Sequence, residues 1–119
     1  MPNPTDTLES LREALASFAA ERDWDQFHNP KNLAMALAGE VGELVEHFQW
    51  LTFDQAQSLP PGTRDEVALE AADVLLYLVR LCDKLDIDLA AAARRKLAIN
   101  AERYPMEKAQ GSAAKYDKL

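Results

Sequence analysis

The chain has 119 residues, enough for one domain, and 48% of them are apolar, so there is material for a core. A formal net charge of -7 argues against a nucleic-acid polymer as partner, because contact with many phosphates needs a basic face. Cys82 is the single cysteine, which rules out a disulfide framework and fits a reducing compartment; no run reaches the roughly 18 apolar residues that span a membrane, and MPNPTDTLES lacks the basic and apolar regions of a signal peptide. The expectation is a soluble, cytoplasmic, all-α protein, since Gly and β-branched residues are scarce and Ala, Leu, Glu, Lys and Arg abundant.

Four helices and no strand are predicted. The first runs from about Asp6 to Arg22, with Asp6 and Glu9 spaced as a capping pair and Leu8, Leu11, Leu15 and Phe18 forming one stripe. A loop with the aromatic residues Trp24, Phe27 and His28 follows. The second helix starts at Pro30 with Asn29 as its cap and runs to about Trp50; Leu33, Leu37, Val41, Leu44, Val45 and Phe48 make its apolar face. Thr52 to Gly62 reads as a connection. The third helix begins at Thr63, with Glu66 completing a capping box, and continues to about Lys84. It is apolar on most sides, so it belongs at the centre or in a subunit interface. The fourth starts after Asp88 and stops before Pro105. Residues 1–119 then form one domain, with a helical core over 5–105 and a mobile tail over 106–119.

The second helix carries Glu40 and Glu43, the third Glu70 and Asp73. Each pair is spaced i, i+3, so both members leave one side of their helix. A lone pair of this kind is usually a solvated face. Here the pattern recurs on two helices that a short connection would make antiparallel. The third helix is otherwise apolar, so Glu70 and Asp73 should face inward, where carboxylates must be protonated, paired or metal-bound. Gly39 and Gly42 also flank Glu40, each at a cost of about 1 kcal/mol in a helix, which suggests close packing against that turn. Oxygen ligands without Cys suit Mg²⁺, with Mn²⁺ able to substitute. The bland alternative is an acidic cluster balanced by Arg64, Arg80, Lys96 and Arg103. Asn32, Ala36, His47 and Trp50 share the face of Glu40 and Glu43, while Glu66 and Tyr77 share that of Glu70 and Asp73. A polar groove with aromatic ends is therefore expected between the two helices. Trp50 and Tyr77 either stack on a ligand or pack in the core, and His47 is not assigned to the metal. Lys96, Asn100 and Arg103 share a face of the fourth helix, as a solvated stripe or as phosphate contacts.

G-E-V-G-E-L (Gly39 to Leu44) followed by E-A-A-D (Glu70 to Asp73) resembles the E-x-x-E … E-x-x-D signature of the MazG-like all-α nucleoside triphosphate pyrophosphohydrolases. R-D-W-D-Q-F-H (Arg22 to His28), F-Q-W (Phe48 to Trp50), D-V-L-L-Y-L-V (Asp73 to Val79) and N-A-E-R-Y-P (Asn100 to Pro105) resemble the dCTP pyrophosphatase branch. The resemblance implies a four-helix bundle assembled as a dimer or dimer-of-dimers tetramer, hydrolysing a nucleoside triphosphate between its α and β phosphates. It implies Glu40, Glu43, Glu70 and Asp73 as catalytic Mg²⁺ ligands. It also implies Trp24, Phe27, His28, Trp50 and Tyr77 as base and sugar contacts, and Lys96 and Asn100 as further polar contacts. One departure bears on the base: Leu15 stands where the eukaryotic enzymes carry a His. Three readings follow: a dCTP-preferring enzyme of nucleotide-pool house-cleaning, the same chemistry on dUTP or a broad dNTP set, and a non-enzymatic helical interaction module.

Overall fold

In the computed structural model residues 6–119 are described, so the predicted start of the helical core at residue 5 lies outside them. Six α-helices and two 3-10 turns account for the regular structure, with no strand among the described residues. No helix described is long and apolar enough to cross a membrane. The chain divides into two compact units, residues 1–87 and 88–119.

The first unit contains α1 (Leu8–Glu21), a 3-10 turn at Asp25–Phe27, α2 (Pro30–Glu46), α3 (Phe53–Gln57) and α4 (Pro61–Lys84). The cap of α1 is Thr7, one residue later than predicted. Thr7 Oγ1 accepts the Ser10 N–H at 3.1 Å while Ser10 Oγ accepts the Thr7 N–H at 2.9 Å, a reciprocal pair that Asp6 and Glu9 do not make; Glu9 binds Arg12 instead. α2 starts as predicted, with the Asn29 side chain accepting from Asn32 N–H and Pro30 in the first turn. It ends at Glu46, short of the predicted Trp50, and His47 to Trp50 form a turn. α3 falls in the predicted connection, where Thr52 and Gln55 form their own capping box. α4 begins at Pro61 and not at Thr63; Thr63 sits inside its first turn, and Glu66 reaches toward His47 instead of closing a cap.

α1 and α4 end alike. Asp23 and Asp86 both have φ of 55°, and behind them Trp24 N–H bonds Ala19 O at 2.9 Å and Ile87 N–H bonds Cys82 O at 2.8 Å. This is the left-handed C-terminal turn in which Asp replaces the commoner Gly. It folds the aromatic loop back over α1.

α4 packs against both α1 and α2, which makes it central, as its composition predicts. Ala19 from α1, Leu33 from α2, and Val79 and Cys82 from α4 are the buried apolar side chains of the unit. The packed face of α2 is Leu33, Ala36, Leu37, Glu40 and Leu44, continued by His47 just past its end, whereas Val41 and Val45, predicted inward, are exposed. The second unit holds α5 (Leu89–Arg103), capped by Asp88, then α6 (Met106–Ala109) and a 3-10 turn at Tyr116–Lys118. Within it the Tyr116 ring meets Tyr104 edge-on and lies under the Arg103 guanidinium.

Candidate active site

α2 and α4 run antiparallel, since Glu40 lies beside Glu70 while His47, further along α2, lies 3.8 Å from Glu66, earlier on α4. The i, i+3 spacing then points Glu40 and Glu43 of one helix at Glu70 of the other. One carboxylate oxygen from each of the three lies within 4.8 Å of the other two. Asp73, one turn further along α4, does not join this group. Its charge nevertheless acts on both Glu40 and Glu70. Glu43 is exposed, whereas Oε2 of Glu40 and Oε2 of Glu70 are shielded from solvent and have no hydrogen-bond partner. Burial, followed by the adjoining Glu43 carboxylate, pushes the carboxyls of Glu40 and Glu70 above their ordinary range.

The candidate counter-ions on this unit do not relieve that repulsion. Arg80 pairs with Asp25 and Asp83, and Arg64 forms no ion pair with the cluster. Orphaned buried oxygens in an all-oxygen donor set fit a hard divalent cation, which would supply the missing partner. Gly39 and Gly42 have a different standing from that expected: a Cβ at either would meet nothing within 4 Å, so no part of the described chain packs closely there.

Beside the carboxylates, α1, the aromatic loop and α4 enclose a cavity of about 420 Å³. Leu11, Leu15 and Phe18 form one wall, Trp24 and His28 the second, and Asp73, Tyr77 and Arg80 the third. Asp73 thus belongs to the cavity wall while its charge acts on the cluster. Trp24 is held by an edge-on contact with Phe18, whose ring centroid is 5.6 Å away. Of the predicted aromatic set, Trp24, His28 and Tyr77 line this cavity and Phe27 and Trp50 do not. Phe27 is 61% exposed, and Trp50, in the turn after α2, is 86% exposed. Lys96 and Asn100 lie on α5 in the second unit, Lys96 exposed and Asn100 half-buried.

Sequence reasoning gave Leu11, Leu15 and Phe18 as an apolar stripe and Arg80 as a candidate counter-ion, and did not bring them together as walls of one cavity. The signal for Arg80 is present: it is the lone charge in the apolar run from Val74 to Cys82 of α4, seven residues from Asp73 and so on the same face.

The model of the MazG-like family matches residues 36–119, which include all four carboxylates. This chain belongs to the MazG-like family. The MazG-like chain is 48% identical to dCTP pyrophosphatase 1 of Mus musculus over 98% of its own length and 70% of that protein's, and 48% identical to dCTP pyrophosphatase 1 of Homo sapiens over the same shares. These alignments take in the aromatic loop and α1, which the family match leaves out. Among solved structures, a pyrophosphatase from Archaeoglobus fulgidus superposes with a TM-score of 0.79 at 38% identity, covering 88% of this chain and 98% of that one.

Proposed function

We propose that this MazG-like chain hydrolyses dCTP, or a modified dCTP, to the nucleoside monophosphate and pyrophosphate as a cytoplasmic house-cleaning enzyme. The observation that carries this is the adjacency of two environments. A carboxylate cluster with two unpartnered buried oxygens adjoins a mostly apolar cavity within the 300–1,000 Å³ range of small-molecule sites, and Asp73 bridges them. The cavity suits a nucleobase and sugar; the acidic cluster suits a triphosphate carried with a divalent cation. Trp24 offers a ring face for the base, and Tyr77 a hydroxyl one turn from Asp73 for the sugar.

Glu40, Glu43, Glu70 and Asp73 would hold Mg²⁺, or Mn²⁺ in its place. Bound there, the cation supplies charge neutralisation of the triphosphate and polarisation of its phosphoryl oxygens. The protein's own part is positioning. Glu43 is the solvent-reachable member of the cluster, so it orients a water in line with the α-phosphorus and accepts its proton. The bond from the α-phosphorus to the bridging oxygen breaks, and pyrophosphate leaves. Water exclusion around the base and fixed geometry at the carboxylates account for the rate.

Assembly into a dimer or tetramer is part of this reading. It is supported by the exposure of Trp50, Phe53 and Leu69, at 86%, 91% and 70%, in a unit with few buried apolar side chains. One observation favours a second substrate range. Leu15 makes that part of the cavity wall apolar, which permits dUTP or several dNTPs. The test is a panel of triphosphates with pyrophosphate detection, in Mg²⁺ and in Mn²⁺. A preference for dCTP is expected. Equal turnover of dUTP establishes the broader reading, and no turnover of any triphosphate establishes a non-enzymatic helical module.

A further inference from the structure

Arg80 is the one fully buried charged side chain among the described residues, 5% exposed, and the carboxylate cluster does not use it. Each of its three guanidinium nitrogens bonds another group. Nη2 bonds Asp25 in the aromatic loop, Nη1 bonds Asp83 at 3.3 Å, and Nε bonds Nδ1 of His28 at 3.0 Å. Asp83 also accepts from Arg12 at 3.3 Å, and Asp25 lies 3.6 Å from Lys84. One residue of α4 therefore grips the loop at both ends of its 3-10 turn.

The contact with His28 has a chemical consequence. An arginine Nε carries a proton and has no acceptor capacity, so it can only donate. The His28 Nδ1 that receives it must be unprotonated, and a neutral ring then carries its proton on Nε2. Trp24 holds the ring edge-on at 6.2 Å. We propose that Arg80 is a positioning residue, which by donating to Nδ1 holds His28 in the neutral Nε2–H tautomer, so that this ring offers the cavity a hydrogen-bond donor and no acceptor. The occupant that fits is a nucleobase edge with an unprotonated ring nitrogen or a carbonyl oxygen, as cytosine presents; the proposal therefore rests on the function proposed above.

The surroundings agree. Burial first, then the Arg80 charge, hold the His28 ring below its usual protonation range, with Lys84 adding to the effect and Asp25 opposing it. From α4 the cavity also receives Asp73 and Tyr77, while α1 contributes only apolar side chains to it.

The test labels the two histidines of the chain with ¹⁵N and reads their tautomers by long-range ¹H–¹⁵N correlation between pH 5.5 and 8, in wild type, Arg80→Met and Arg80→Lys. Wild type is expected to show His28 as the Nε2–H form, neutral below the pH at which a free histidine charges. Both variants are expected to show mixed tautomers and a higher His28 protonation range. Arg80→Lys keeps the charge, so it tests the Nε–H itself and serves if Arg80→Met does not fold. In turnover of dCTP, KM is expected to rise about tenfold in Arg80→Met with little change in kcat, the size of one hydrogen bond. In a His28→Phe background Arg80→Met should then have no further effect on KM. A wild-type Nδ1–H tautomer, or a tautomer unchanged in both Arg80 variants, overturns the proposal. Loss of kcat alone, with KM and tautomer unmoved, overturns it too. If wild type turns over no triphosphate, the functional reading falls while the spectra still decide the tautomer.

Discussion

Replacing Glu70 with glutamine separates a metal site from an acidic cluster that merely tolerates itself. The change keeps the shape of the side chain and removes one charge from three carboxylates whose oxygens lie within 4.8 Å of one another. Glu70 Oε2 is shielded and unpartnered, so in metal-free protein the charge is unfavourable there. The metal-free Tm of the Glu70→Gln variant should therefore equal or exceed that of the parent, unlike most substitutions at a packed position. The cation response should move the other way. A ligand at 100 times its Kd stabilises the folded state by about 2.7 kcal/mol. For a chain of 119 residues that corresponds to a rise in Tm of roughly 8–16 °C on adding Mg²⁺ or Mn²⁺ to the chelated parent. In Glu70→Gln most of that rise should vanish, and turnover should fall at least about a hundredfold, the scale of losing one preorganised electrostatic group. The assay is thermal unfolding of both proteins in chelator and in a cation titration, beside pyrophosphate release. A variant with a lower metal-free Tm and an intact cation-dependent rise would refute the reasoning, because the carboxylate would then be a structural hydrogen-bonding group.

Two further outcomes are expected. The pH dependence of the chelated protein should have opposing components. The carboxyls of Glu40 and Glu70 sit above their ordinary value of 4.5, so their stabilising contribution is complete below the unfolded value and is lost as pH rises through the folded one; Glu70→Gln should weaken this component of Tm against pH. His28 lies below its ordinary 6.5, so its contribution is present above that value and is lost as pH falls through the folded one; His28→Phe should remove that component. Tyr77→Phe keeps the ring in the cavity wall and deletes the hydroxyl, so KM for dCTP should rise by roughly three- to tenfold with Tm nearly unchanged; an unaltered KM removes Tyr77 from substrate contact.

The features legible in the sequence are the local ones. The Asn29 cap with Pro30 and the Asp88 cap each depend on a few neighbouring residues, and each is found where it is expected; the i, i+3 spacing brings Glu40, Glu43 and Glu70 together and leaves Asp73 outside the group. The features that were not legible depend on where helices meet or stop. The apolar residues of α2 cover two faces, and only contact with α4 decides that Leu33, Leu37 and Leu44 pack while Val41 and Val45 do not. The sequence pattern extends α2 to Trp50 because no Gly or Pro marks the stop after Glu46; the chain leaves the helix through a turn at His47. At α1 two good caps stand one residue apart, and the reciprocal bond of Ser10 selects Thr7 over Asp6. The cavity exists only because α1 and the aromatic loop pack against α4, so Leu15, Phe18 and Arg80 come together from positions as far as 65 residues apart.

The thinness of the core makes self-association a thermodynamic question. Among the described residues of the first unit Leu33, at 2% exposed, is the largest fully buried side chain, while Trp50 and Phe53 are almost wholly exposed. A large aromatic side chain leaves water only when something covers it, and doing so stabilises by roughly 1.5–3 kcal/mol for a residue of this size. If a second copy supplies the cover, part of the folding free energy is association free energy, and stability depends on protein concentration. Tm should then rise with concentration across a range from about 1 to 100 µM, and dilution should lower specific activity with a midpoint near the dissociation constant. Trp50→Ser should shift that midpoint to higher concentration and leave the Tm of the most dilute samples unchanged, since the single chain gains almost nothing from the exposed ring. Tm and specific activity that stay flat with concentration, beside a monomeric mass in sedimentation at the highest concentration, would refute the assembly. The exposed aromatic residues would then have to be covered by a different protein or by the substrate itself.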